Sequence, residues 1–302
     1  MTAPRRAFKV RGETLTLGGR PRLMGVVNAT PDSFSDAGLN RTLDQLLELA
    51  RELIEAGAEI IDIGGESGVT NRPAVSPREE IERVVPLIER VCGELGARVS
   101  VDTYKPEVAR AAITAGASII NDVSGLLDAR LTDVIAETGA GLVLTHTRAA
   151  PKRKLFDRAL DGRAVEDVEE FLRERISLAR ERGVEFEQLM LDPGPDLGKT
   201  PAQTVEVLRA LPRLHELGRP LLLAVSRKDF IGAITGRRPR ERLAGTLAAI
   251  AHGVADGVHV LRVHDVREAA DFLAVDAALT GSTEIDSELR VPDAIRWEQG
   301  SG

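Results

Sequence analysis

Cysteine is almost absent from this chain. Cys92 stands alone in 302 residues, so no internal disulfide can form, and a reducing compartment, the cytoplasm, is expected. No apolar run approaches the ~20 residues that cross a bilayer. The opening MTAPRRAFKV has no apolar core of signal-peptide length, so no membrane partner is expected. A basic excess is missing too: 40 Lys and Arg against 47 Asp and Glu leave a net charge of −7. That balance speaks against nucleic acid as a partner, while a local basic pocket for a small anion remains open. The five histidines, His146, His215, His252, His259 and His264, nowhere show zinc-ligand spacing. Neither a fixed-period repeat nor a low-complexity segment occurs.

What the chain does have is alternation. Strand-like apolar runs at Arg22–Asn28, Glu59–Ile63, Arg98–Asp102, Ser118–Asp122, Gly141–Thr145, Gln188–Asp192, Pro220–Val225 and His259–Val263 are separated by helical patterns. These include Leu43–Glu55, Pro77–Leu95, Pro106–Ala115, Arg163–Arg182 and Arg240–Ala255. Glycines at 57, 116, 139 and 183 fit helix C-termini. Repeated strand-plus-helix units predict a parallel α/β sheet. The polar residues at the strand ends then choose between an open sheet and a barrel. Asn28, Asp62, Asp102, Asn121, His146, Asp192, Lys228 and the pair Arg262/His264 each close an apolar run, and only in a (β/α)8 TIM barrel do all such ends converge on one face. A single domain is expected over 22–280, preceded by a hairpin or lid at 1–21 and followed by a flexible tail at 281–302.

Several segments carry chemistry beyond a bland turn or cap. Asn28 through Asp36 reads as a Pro-Asp turn, yet it sets an amide oxygen at a strand end, suited to Mg²⁺ shared with phosphates. The run from Gly64 to Pro73 lacks the glycine spacing of a nucleophile elbow and delivers Arg72 on a Gly-rich loop, as pyrophosphate would need. Asp102 and Asn121 are each suited to helix capping, and as a pair to reading a heterocycle edge. Gly198-Lys199-Thr200 suggests a P-loop, but too few residues separate Gly194 from Gly198. Ser226-Arg227-Lys228 and Arg262-Val263-His264 put cations after the last two strands, the usual phosphate position of a barrel.

In order along the chain, Asn28–Asp36, Asp62–Ser67, Val101–Tyr104, Ile120–Val123, Asp192-Pro193-Gly194, Gly198–Thr200, Ser226–Gly232 and Arg262–Val266 resemble the dihydropteroate synthase family of pterin-binding barrels. The resemblance spans most of residues 22–275. It implies transfer of 6-hydroxymethyl-7,8-dihydropterin from its pyrophosphate to p-aminobenzoate, with Mg²⁺ as cofactor and a homodimer as the assembly. Carried over by position, Asp102, Asn121, Asp192 and Lys228 hold the pterin, with Asp192 accepting from its amino-pyrimidine edge. Arg72, Arg262 and His264 bind pyrophosphate, and Asn28 lies beside Mg²⁺. Asp32 sits on the loop that closes over the acceptor, and Lys228, Asp32 and Arg72 are the candidates for a direct part in catalysis.

The acceptor side departs from the family pattern. The family's second loop reads Gly-Glu-Ser-Thr-Arg-Pro, whereas here Gly68, Val69, Thr70 and Asn71 intervene before Arg72. Leu197 replaces an aromatic residue, and Asp229 follows Lys228 where a serine or arginine often stands in the family. An Asp229 carboxylate at the helix start would repel the acceptor's carboxylate unless it turned away, and Arg148 would supply a compensating charge. Weaker sulfonamide inhibition is expected on these grounds. The alternatives are a pterin synthase using another arylamine, a pterin-binding methyltransferase domain that serves a corrinoid protein, and a non-catalytic pterin binder.

Overall fold

A computed structural model of the chain describes residues 3–30, 42–67, 73–153, 155, 158–292 and 295–296. Strands β1 (Ala3–Val10) and β2 (Glu13–Gly19) pair antiparallel as a hairpin. Then follow β3 (Arg22–Asn28), α1 (Leu43–Glu55), β4 (Ile60–Gly64), α2 (Pro77–Leu95), β5 (Arg98–Asp102), α3 (Pro106–Thr114), β6 (Ile119–Asp122) and α4 (Arg130–Thr138). The second half holds β7 (Gly141–Thr145), α5 (Ala164–Glu181), β8 (Leu189–Asp192), α6 (Pro201–Arg209), α7 (Leu211–Leu214), β9 (Leu222–Leu223), α8 (Asp229–Thr235), α9 (Leu243–Ala255), β10 (Val260–Val263) and α10 (Val266–Leu279).

Strands β3 to β10 form one eight-stranded parallel sheet in the order β8-β7-β6-β5-β4-β3-β10-β9. A parallel bridge between Leu191 and Leu221 brings the two edges together, giving the (β/α)8 barrel. Strand β9 is shorter than the Pro220–Val225 run predicts. Pro220 has no N–H to give to a ladder, although its carbonyl accepts from Leu191 N–H at 2.9 Å. Helix α9 likewise begins at Leu243 rather than Arg240, after a 3-10 turn at Pro239–Glu241.

Successive side chains of a strand point to opposite faces, and the core divides accordingly. Leu23, Ile61, Val99, Ile120, Leu142 and Leu191 pack outward under the helices, where α1 and α6 are started by Thr42 and Thr200 in reciprocal caps with Gln45 and Gln203. Met24, Ile60, Ile119, Val143, Met190, Leu222 and Val260 point inward and meet Phe8, Val10, Leu15 and Leu17 of the hairpin.

The hairpin stops the barrel at the N-terminal ends of its strands. A side chain on Gly141, the first residue of β7, would strike the Phe8 ring at 2.5 Å. Arg219 donates to the Ala7 carbonyl at the entry to β9, and His259 Nε2 lies 2.8 Å from the Pro4 carbonyl at the entry to β10. This segment is therefore a plug on the face away from the strand C-termini rather than a lid over them. After α10 the residues 281–292 are exposed and carry neither helix nor strand.

Candidate active site

The inward parity carries the site. Two residues beyond Ile60, Ile119, Met190 and Val260, the same interior column reaches Asp62, Asn121, Asp192 and Arg262, and one more step on β10 reaches His264. The lower turns of the barrel are apolar and the upper turn is ionic.

At its centre Arg262 is held by two carboxylates. Its Nε donates to Asp62 Oδ2 at 2.6 Å and its Nη2 to Asp102 Oδ2 at 2.8 Å. Burial alone would lower the guanidinium pKa, but these two charges outweigh it and hold Arg262 above its usual range. Asp102 moves upward, to about 7, because burial and the neighbouring Asp62 and Glu80 charges outweigh the attraction of Arg262 and Lys228. Asn121 donates from Nδ2 to Asp62 Oδ2 at 3.3 Å, while the buried Oδ1 atoms of both Asn121 and Asp62 have no partner among the described residues.

Asp192 ends β8 almost fully buried. Its Oδ1 accepts from Gly194 N–H at 2.7 Å. Burial raises its pKa, partly offset by that N–H and by Lys228, Lys199 and Arg262. Gly194 adopts φ 63°, and a Cβ there would lie 1.9 Å from the His146 carbonyl oxygen, so no other residue fits. Lys199 closes the same turn from below. Its Nζ donates to the Gly194 carbonyl at 2.9 Å and lies 2.5 Å from His146 Nδ1. The Asp167 carboxylate only accepts, so the imidazole proton sits on Nε2 and is donated to it at 3.0 Å, which leaves Nδ1 to accept from Lys199. Burial takes Lys199 down to about 7 and His146 down to about 4.

The cationic side is built from β9 and β10. Ser226 Oγ accepts from the His264 N–H at 3.2 Å and lies 3.0 Å from its Nδ1. Burial lowers the His264 pKa to about 4, with Arg262 and Arg227 adding to the effect. Arg227 is tied to Asp265 at 2.5 and 3.1 Å, whereas the Lys228 ammonium makes no hydrogen bond among the described residues and acts on Asp102, Asp192 and His264 through its charge. Asn28 ends β3 in register with Gly64. The missing side chain of Gly64 leaves open the space beside Asn28 Oδ1 and Asp102 Cβ, 3.6 and 3.7 Å from where a Cβ would stand.

Asn28, Asp102, Asn121, Asp192, Lys228, Arg262 and His264 thus share one face, while Asp32 and Arg72 lie outside the described residues. The base of the second loop is fixed by Glu66, which accepts from Lys105 Nζ at 2.7 Å, Val75 N–H at 3.0 Å and Tyr104 Oη at 3.1 Å.

Two acceptor-side expectations are corrected. Asp229 is exposed and pairs with Arg242 at 3.0 Å, so its carboxylate turns away. The carboxylate that accepts from the first turn of α8 is Asp196, whose Oδ2 takes the Phe230 N–H at 3.1 Å. Arg148 is no free compensating charge, because Asp167 holds both its Nε and Nη2. Sequence reasoning gave neither Asp62 nor Lys199 a role of its own: Asp62 stood as a strand end and the start of the family segment Asp62–Ser67, and Lys199 as part of a failed P-loop and of the family segment Gly198–Thr200. The period-two spacing Ile60-Asp62 was the available signal for the first. Nothing local gives Lys199 its role, because its contact with His146 joins it to the end of another strand.

The pterin binding enzyme family matches residues 24–264. The dihydropteroate synthase of Bacillus subtilis is 44% identical over 82% of this chain and 85% of its own length, and that of Escherichia coli K12 is 38% identical over 91% and 96%. Among solved structures, the Xanthomonas albilineans dihydropteroate synthase with 4-aminobenzoic acid superposes with a TM-score of 0.82 at 42% identity, covering 91% of this chain and 98% of that one. The Yersinia pestis dihydropteroate synthase in a sulfonamide complex gives 0.83 at 35% identity, covering 92% and 100%. The fold and the family match define a pterin-binding barrel enzyme. Within that class the chain belongs to the dihydropteroate synthases, transferases of folate biosynthesis, and the corrinoid methyltransferase alternative is set aside.

Proposed function

We propose that the ionic upper turn of the barrel binds the pterin pyrophosphate and that p-aminobenzoate is the acceptor. The observation that carries this reading is the convergence of Asp192, Asn121, Asp102 and Arg262 on one face of the barrel, with the Lys228 charge acting on the same carboxylates. Asp192 accepts from the amino-pyrimidine edge with the oxygen that Gly194 leaves free. Asn121, Asp102 and Lys228 read the rest of the ring. Arg262 and His264, with Arg72 from the second loop, hold the pyrophosphate, and Asp32 from the first loop covers the acceptor.

The pterin methylene carbon parts from pyrophosphate, and the ring delocalises the positive charge left behind. Cations fixed before the reaction stabilise the charge that develops on the leaving group. Asp102 and Asp192 face the cationic ring, and the arylamine nitrogen then attacks the same carbon and gives up one proton, to the released pyrophosphate or to water. A covalent enzyme intermediate is not required.

Mg²⁺ fits this arrangement as a phosphate-borne ion. Asn28 offers one amide oxygen at the mouth, and among the described residues no cluster of three His, Cys, Asp or Glu side chains could form an all-protein cage. Such an ion, held by Asn28, substrate phosphates and water, would neutralise charge on the departing pyrophosphate.

A homodimer is part of the same reading. Helix α9 is largely apolar yet buries only Thr246, Ile250 and Gly253, and Val275 and Leu279 of α10 are exposed. Light scattering at micromolar concentration is expected to give twice the chain mass, and a monomer mass rejects it. A cytoplasmic location accords with the single half-buried Cys92, and no helix among the described residues is long and apolar enough to cross a membrane.

Pyrophosphate release assayed with and without p-aminobenzoate tests the reaction. Release that depends on p-aminobenzoate, with a pteroate product, is expected. Release with another arylamine but not p-aminobenzoate overturns the acceptor, and no release with any arylamine overturns the synthase reading.

A further inference from the structure

Asp62 has no part in the chemistry above, yet it is the most enclosed charge of the site, with 0% exposure at the third position of β4. One oxygen, Oδ2, accepts from both Arg262 Nε at 2.6 Å and Asn121 Nδ2 at 3.3 Å. These two partners belong to different halves of the donor substrate in the proposed reading: Asn121 to the ring, Arg262 to the pyrophosphate.

The consequence follows from what each group can do. A carboxylate only accepts hydrogen bonds, and an amide presents a donor on one side and an acceptor on the other. Without a fixed neighbour, an asparagine could turn either end to a ligand. Beside Asp62 it has one choice, with its NH2 toward the carboxylate and its carbonyl oxygen on the far side. That oxygen is buried and has no partner among the described residues, the state of an acceptor kept for a ligand donor. Arg262 is fixed in the same way. Its Nε and Nη2 are taken by Asp62 and Asp102, and Nη1 makes no hydrogen bond among the described residues.

We propose that Asp62 is a positioning residue that sets the hydrogen-bond polarity of the pterin site, forcing Asn121 to present an acceptor and directing Arg262 so that its Nη1 N–H groups face the leaving group. This rests on the pterin-pyrophosphate reading of the site. It assigns to the buried carboxylate a selective role: a ring edge carrying N–H groups is accepted at Asn121, and an edge carrying only lone pairs is refused.

The test uses 6-hydroxymethylpterin, which has the ring but no phosphates, titrated calorimetrically into the intact protein. Asp62→Ala should weaken this ligand about tenfold, because Asn121 is released to turn. In an Asn121→Ala background the same substitution should cost the ring ligand nothing more, since its effect runs through Asn121. Asp62→Asn keeps an amide oxygen where Oδ2 accepts from both Arg262 and Asn121, so it should bind the ring nearly as well as the native protein. Asp62→Val takes the place of the alanine variant if that one fails to fold. Unchanged ring affinity in the variant that lacks the acceptor, equal losses with and without Asn121, or an equal loss in Asp62→Asn would each overturn the proposal. If Asn121→Ala itself leaves ring affinity unchanged, it is the pterin reading of the site that fails.

Discussion

Replacing Asp192 with asparagine separates two jobs of one carboxylate. Its Oδ1 holds the turn after β8 by accepting from Gly194 N–H at 2.7 Å, and an asparagine oxygen can do the same. Its negative charge is needed only by a ligand donor and by the nearby cations of Lys228, Lys199 and Arg262. Burial already makes that charge costly, as its upward-shifted pKa records, so the neutral amide should leave the melting temperature unchanged or slightly higher. Binding should suffer. Breaking a desolvated, charged hydrogen bond costs roughly 2–5 kcal/mol, which is about thirtyfold even at the lower end. The Asn NH2 would also confront the pterin's own amino group, donor against donor. Calorimetric titration of 6-hydroxymethylpterin into the two proteins, with melting curves alongside, gives both quantities. Native affinity in a stably folded Asp192→Asn protein would refute the assignment of Asp192 to the amino-pyrimidine edge.

Arg262→Ala should weaken the pyrophosphate ester far more than the free hydroxymethyl pterin, because only the ester carries phosphates; equal losses for the two ligands place the phosphates elsewhere. His146 and His259, both enclosed, have pKa values lowered by burial to about 4 from an ordinary 6.5. Between those values the unfolded chain binds protons that the folded chain refuses, so stability is full above pH 6.5 and is lost as pH falls toward 4, by at most roughly 3 kcal/mol per histidine. Melting temperature should therefore drop across that window, less steeply in His259→Asn, and an identical slope in the two proteins denies His259 this role. Asp229→Ser should leave sulfonamide inhibition unchanged, since the Asp229 carboxylate is turned out to Arg242; a gain in sensitivity of tenfold or more, about 1.4 kcal/mol, would mean that it reaches the acceptor after all.

Local pattern was enough for the order of strands and helices in this fold, though not for the ends of β9 and α9. Alternating runs such as Met24-Val26-Asn28 and Ile60-Asp62-Gly64 record in one dimension which side chains face the barrel interior, because the strand period is two whatever the strand pairs with. The convergence of Asp102, Asn121, Asp192, Lys228, Arg262 and His264 was legible for the same reason: in a parallel barrel all strands run one way, so residues ending them must meet. Partner choice was not legible. Asp229 and Asp196 both lie where a carboxylate could face α8, and only the packing of α6 against α8 and the reach of Arg242 decided that Asp196 turns to the helix and Asp229 to solvent. Arg148 reads as a free cation until α5 brings Asp167 beside it. The hairpin's place at the bottom of the barrel depended on Phe8 filling space left by Gly141, a hundred and more residues away. Periodicity is a property of neighbours along the chain. Hydrogen-bond partners and filled space belong to neighbours in three dimensions, and a single sequence records them only where geometry leaves one outcome.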